Sequence, residues 1–69
     1  MERVSVSSSN VESVGYDEDS ETLEVEFKNG TLYQYFDVPK SIFIGLIGAD
    51  SVGGYLAENV KGVFRYSRA

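Results

Sequence analysis

The chain has 69 residues, with eleven acids against six bases and a formal net charge of -5 at neutral pH. That length suffices for one domain with a modest core and excludes a second core. The absence of Cys and His removes disulfides, the commonest zinc ligands, and both the Ser-His and Cys-His routes to an activated nucleophile.

Stability must therefore rest on apolar packing, and a 42% hydrophobic content with four Phe and five Tyr is ample for it. The first residues, Met1 to Ser5, lack the apolar run of a secretory leader, and no stretch approaches the roughly 20 apolar residues that span a bilayer. A cytoplasmic protein without membrane contact is the expectation.

Val4 and Val6 alternate with Ser5 and Ser7, the period of a half-buried strand or arm, and the polar run Ser7 to Asn10 ends it. Val11 to Tyr16 reads as a second strand with Val14 and Tyr16 on one face, closed by a turn over Asp17 to Glu21. Thr22 to Phe27 alternates apolar and acidic residues, which places Leu23, Val25 and Phe27 inward on an antiparallel strand. Lys28-Asn29-Gly30 supplies a hairpin turn, and Thr31 to Phe36 returns as the next strand.

The type of that turn decides where the tyrosines point. A two-residue turn at Asn29-Gly30 pairs Phe27 with Leu32 and puts Tyr33 and Tyr35 beside Glu24 and Glu26, exposed. A type I turn with a bulge at Gly30 pairs Val25 with Tyr33 and Leu23 with Tyr35, which makes both tyrosines core. The bulged register is favoured because it keeps Gln34 out of the core, although it leaves Leu32 and Phe36 on the other face.

Pro39 opens a helix whose Ile42, Phe43, Leu46 and Ile47 form an apolar stripe, with Ile44 pointing away. Asp50 or Ser51 caps a second helix with Val52, Tyr55, Leu56 and Val60 inward and Gly62 as its stop. Val63 to Tyr66 adds a last short strand. The fold class is α+β: an antiparallel meander of three to four strands followed by two short helices packed on one face. It forms one domain over residues 1–69, with 1–3 and 67–69 frayed.

Val6-Ser7-Ser8-Ser9, Val14-Gly15-Tyr16-Asp17, Leu23 to Phe27, Gly30, Tyr33-Gln34-Tyr35, Val38-Pro39 and Ser51 to Tyr55, in this order and spacing, resemble the KTSC domain. That family is named for its occurrence at the C-terminus of some lysyl-tRNA synthetases and also occurs as free-standing small proteins. The resemblance implies an RNA-binding role by domain company; the synthetase's catalytic residues do not carry over.

No residue set suggests catalysis or a metal. The serines 7–9 read as a polar arm. Asp17, Asp19 and Glu21 have the alternation of a calcium loop, but Thr22 stands where such a loop needs Gly, and the distal Glu is missing. Gly53-Gly54 lacks the lysine of a phosphate loop and is expected to permit close packing of a helix start against the sheet. Tyr33 and Tyr35 could form a stacking platform for bases, but acidic neighbours oppose it in one register and burial in the other, so they are read as core.

Lys61, Arg65 and Arg68, joined by Arg3, are the bases able to meet a phosphate backbone, giving weak and salt-sensitive binding. The expected function is a non-catalytic binding or accessory module without cofactor or metal, monomeric or weakly dimeric. A protein partner is favoured, because the balance is acidic and Ile44, Leu32 and Phe36 have no core role. RNA binding through the four bases is the alternative.

Overall fold

In the computed structural model, which describes residues 1–69, the chain runs β1 (Arg3–Ser5), β2 (Val11–Asp17), β3 (Thr22–Phe27), β4 (Leu32–Tyr35), α1 (Lys40–Ile47), α2 (Val52–Asn59) and β5 (Tyr66–Arg68). The strands form one antiparallel sheet in the order β1-β2-β3-β4-β5, so the helices are an insertion between neighbouring strands. This corrects the expected three to four strands to five. It also moves the last strand from Val63–Tyr66 to Tyr66–Arg68, and it places Arg3, Ser67 and Arg68 inside strands rather than in frayed ends.

Hairpin β3-β4 has the bulged register. Gly30 N–H donates to Phe27 C=O at 2.9 Å, Phe27 N–H donates to Thr31 C=O at 2.8 Å, and Gly30 sits at φ 88°, a conformation that glycine adopts at no steric cost. Val25 pairs with Tyr33, Leu23 with Tyr35 and Glu24 with Gln34. Because paired residues share a face, Leu23, Val25, Tyr33 and Tyr35 turn to one side, and Glu24, Glu26, Leu32 and Gln34 to the other.

The helices cover the first side. Val11, Val14, Leu23, Val25, Tyr35, Val38, Leu46, Val52, Leu56 and Val60 form one buried cluster drawn from sheet and helices alike. Val11 and Val14 lie three residues apart yet both face inward, because a bulge at Glu12 shifts the β2-β3 register. Tyr16 stacks on Phe43 at 5.3 Å between centroids, and its hydroxyl donates to Val38 C=O at 2.5 Å.

Helix α1 buries less than its sequence suggests: Leu46 is buried, Ile42 and Phe43 are half-buried, and Ile47 is 40% exposed. Pro39 is the residue before the first turn and not its first member. Ser51 caps α2, its hydroxyl accepting from Gly54 N–H at 3.1 Å. Gly54 packs under that cap and Gly53 faces Ser8, so neither glycine serves the expected contact with the sheet. No helix is long and apolar enough to cross a membrane.

The α1-α2 contact depends on Gly45, against which the Tyr55 ring and hydroxyl lie so closely that an added Cβ would clash with them. Gly45→Ala should therefore destabilise the domain by about 1–3 kcal/mol through overpacking, overriding the ~1 kcal/mol that alanine contributes as a helix former. Urea unfolding checks this, and the loss should shrink when Tyr55→Ala is added.

Candidate functional site

The far face of the sheet is polar and internally neutralised. Arg3, drawn beside Gly15 by the β1-β2 pairing, reaches Ser13 Oγ and Glu26 Oε1 through Nη1, both at 3.2 Å, and pairs with Glu24 through Nη2. Ser13 Oγ in turn donates to Glu26 at 3.2 Å, and the Gln34 amide donates to Glu24 at 2.9 Å. Met1 and the Glu2 carbonyl lie over Gly15, where a Cβ would sit 2.8 Å from that oxygen. The Gln34 hydrogen bond, with Arg3 and the N-terminal amine adding to it against the effect of burial, holds the Glu24 carboxyl below its usual range.

The helix-covered face is different at its β4-β5 end, which the helices leave open. Tyr35 is the floor there, 2% exposed, with Tyr33 half-buried and Tyr66 63% exposed. The rings meet edge on or tilted, with centroids 5.7 Å apart for Tyr33 and Tyr66, 6.0 Å for Tyr35 and Tyr66, and 5.6 Å for Phe27 and Tyr33. Burial, then the neighbouring Tyr33 and Tyr66, raises the Tyr35 hydroxyl above the ordinary phenol range, so it stays a proton donor.

Lys61, presented by the turn after α2, stands over the Phe27 ring at 5.2 Å, a cation–π distance. With Tyr33, Tyr35, Gly62 and Tyr66 it lines a hollow of about 430 Å³. The same lysine lines an adjoining hollow of about 530 Å³ with Ser9, Asn10, Phe27, Lys28 and Asn29. No Asp or Glu lines either one, in a chain with eleven acids.

The four candidate bases do not converge. Lys61 and Arg68 belong to the tyrosine face, Arg68 standing opposite Tyr33 in the β4-β5 ladder. Arg65 instead pairs with Asp37 at 2.7 Å and lies over the Phe36 ring at 5.8 Å. Arg3 is committed to Glu24 and Glu26 on the opposite face, which removes it from the expected phosphate-binding set. Tyr33 and Tyr35 fit the core reading only in part, since Tyr33 keeps an accessible edge.

Two members of this surface went unassigned in the sequence, Tyr66 and Lys28. The signal for Tyr66 was its alternation with Arg68; Lys28 was explained by its place in a turn. The apolar residues without a core role also separate: Ile44 is 55% exposed on α1, whereas Leu32 and Phe36 are half-buried on the far side of the sheet. Asp17, from the acidic turn, uses Oδ1 to accept from Asp19 N–H at 3.1 Å.

Comparison with known proteins finds the KTSC domain model matching residues 7–64. An uncharacterized protein of Stutzerimonas stutzeri is 43% identical over 61 residues, 88% of this chain and 86% of that one. The lysine–tRNA ligase of Nostoc punctiforme is 33% identical over 58 residues, which make up 84% of this chain but 10% of the ligase. The crystal structure of a KTSC domain protein from Yersinia pestis superposes with a TM-score of 0.92 at 36% identity, covering 99% of this chain and 96% of that one.

The Arg3-Glu24-Gln34 cluster makes stability depend on acid. A carboxyl whose folded pKa is lowered contributes stability above its unfolded pKa, and that contribution is lost as pH falls through the folded value. Urea midpoints measured from neutral pH down through about pH 4, the usual carboxylate range, should fall more steeply in the parent chain than in Glu24→Gln.

Proposed function

The chain belongs to the KTSC domain family, and from that premise and the geometry of the tyrosine face we propose a non-catalytic module that binds single-stranded RNA weakly. The observation that carries this reading is the acid-free surface on which Tyr33, Tyr66 and Phe27 lie beside Lys28 and Lys61, flanked by Arg68. The acidic obstacle read from the sequence is absent there, and the burial of Tyr35 is offset by a ring from another strand. Glu24 and Glu26 occupy the opposite face under Arg3, and Tyr66, with the edge of Tyr33, leaves ring area accessible to a base.

Rings on a sheet with cations beside them suit unpaired bases, whose faces stack while phosphates meet the charges. The occurrence of related sequence in lysine–tRNA ligases supports the same direction. The non-catalytic part of the proposal draws on the lack of His and Cys and on the engagement of the buried Ser13 hydroxyl by Arg3 and Glu26. A protein partner is the second reading, favoured by the exposed Val63 at 62% beside Phe64 and Tyr66.

Three cations predict a log affinity that falls with log salt at a slope of about -2, since each phosphate neutralised on a single strand contributes about -0.7. In a fluorescence titration with a labelled eight-nucleotide single-stranded RNA, Tyr66→Ala should cost about 1–3 kcal/mol of binding, and Lys61→Ala should flatten the slope by about 0.7. Lys61→Ala should unfold within about 0.5 kcal/mol of the parent, as exposed positions do, and Tyr66→Ala should lose about 0.5–1.5 kcal/mol, because its ring packs against Tyr33 and Tyr35. Failure of the RNA to shift the amides of Tyr33, Lys61 and Tyr66 at low salt would refute the reading.

A further inference from the structure

Strand β5 ends the sheet, with no strand beyond it. Its ladder to β4 determines which backbone groups that edge presents. Phe36 N–H donates to Arg65 C=O at 2.9 Å, and Ala69 N–H donates to Leu32 C=O at 2.8 Å. By the alternation of an antiparallel ladder, residues 65, 67 and 69 direct their backbone groups to β4, and Tyr66 and Arg68 direct theirs outward.

An outward N–H and C=O on two residues two apart is the template on which an extended peptide adds as a further strand. The charge around it selects the peptide. Residues 59 to 69 contain Lys61, Arg65 and Arg68 and no acid; Asp37 neutralises Arg65, so the positive charge that the edge offers a partner is that of Arg68, with Lys61 on the adjoining face. Edge β1 differs in charge, since Glu2 stands at its start and its arginine, Arg3, is held by Glu24 and Glu26.

We propose that β5 accepts an extended acidic segment of a partner protein as a sixth strand, hydrogen-bonded to the backbone of Tyr66 and Arg68. The side chains of those two residues stand on the tyrosine face, so they read alternate residues of the incoming strand. In antiparallel pairing the partner residue opposite Arg68 precedes by two the residue opposite Tyr66. The recognised pattern is an acid, any residue, then an aromatic. This inference does not rest on RNA binding; it gives the protein-partner reading a specific address.

The test uses a fluorescein-labelled peptide Thr-Thr-Glu-Thr-Phe-Thr-Thr and its N-methylated versions, titrated into the full chain with amide shifts recorded. Methylating the backbone nitrogen of the Glu or of the Phe should weaken binding at least tenfold, and methylating the Thr between them should not, because only alternate residues face β5. Arg68→Pro, which removes an outward N–H, should weaken binding more than Arg68→Ala, which removes the charge alone. Absence of binding at millimolar peptide, or equal losses from all methylated versions, would overturn strand addition. The RNA reading fails separately, since its titration distinguishes neither the methylated peptides nor Pro from Ala at position 68.

Discussion

The left-handed backbone at Gly30 decides which side of the sheet the residues on both sides of the hairpin occupy. A hairpin closed one residue shorter would slip β4 by one position against β3 and send Gln34 inward and both tyrosines out beside Glu24 and Glu26. Because β5 pairs only with β4, its own facing follows. The core, the acidic face and the aromatic face are thus three results of one turn conformation, which glycine adopts without the steric cost that a side chain would add.

A chain this short can bury one face of its sheet well and has too few residues to cover both. The helices take the face carrying Leu23 and Val25. The other face is made tolerable to water by acids, and those acids are held by an arginine from the first strand. Buried polar groups created by this arrangement are all satisfied, with no buried side-chain nitrogen or oxygen lacking a partner, as native domains require. The separation also has an electrostatic result: Glu24 and Glu26 are held by Arg3 on one side of the sheet, and the hollows on the tyrosine side are lined by Lys28 and Lys61 without an acid.

Legibility in the sequence tracked burial. Thr22 to Phe27 could be read directly, because strict alternation over a half-buried strand is a two-state pattern, and the hairpin register followed from the cost of burying Gln34. Family membership was legible for the same reason, since its motifs lie along those elements. Strand β5 was misplaced because all three of its residues are exposed, so no apolar alternation marks it. The Glu12 bulge was invisible because Val11 and Val14, three apart, fit neither period until an extra residue is inserted. The pairing of Arg3 with Glu24 spans 21 residues, a distance over which local pattern carries no information. Tyr66 and Lys28 joined the candidate site only when the sheet brought the chain's end beside its central hairpin.

The buried cluster contains no residue after Val60. Strand β5 is therefore held by its ladder to β4 and by the contacts of Tyr66, without a side chain anchored in the core. Its detachment is a local opening whose free energy is smaller than that of global unfolding, and it would leave the remaining four strands and both helices intact. The aromatic surface exists only while β5 is docked. Any ligand held there stabilises the docked form over the open one, so its apparent affinity is the intrinsic affinity scaled by the docked fraction, and occupancy and the attachment of the last strand become two readings of a single equilibrium.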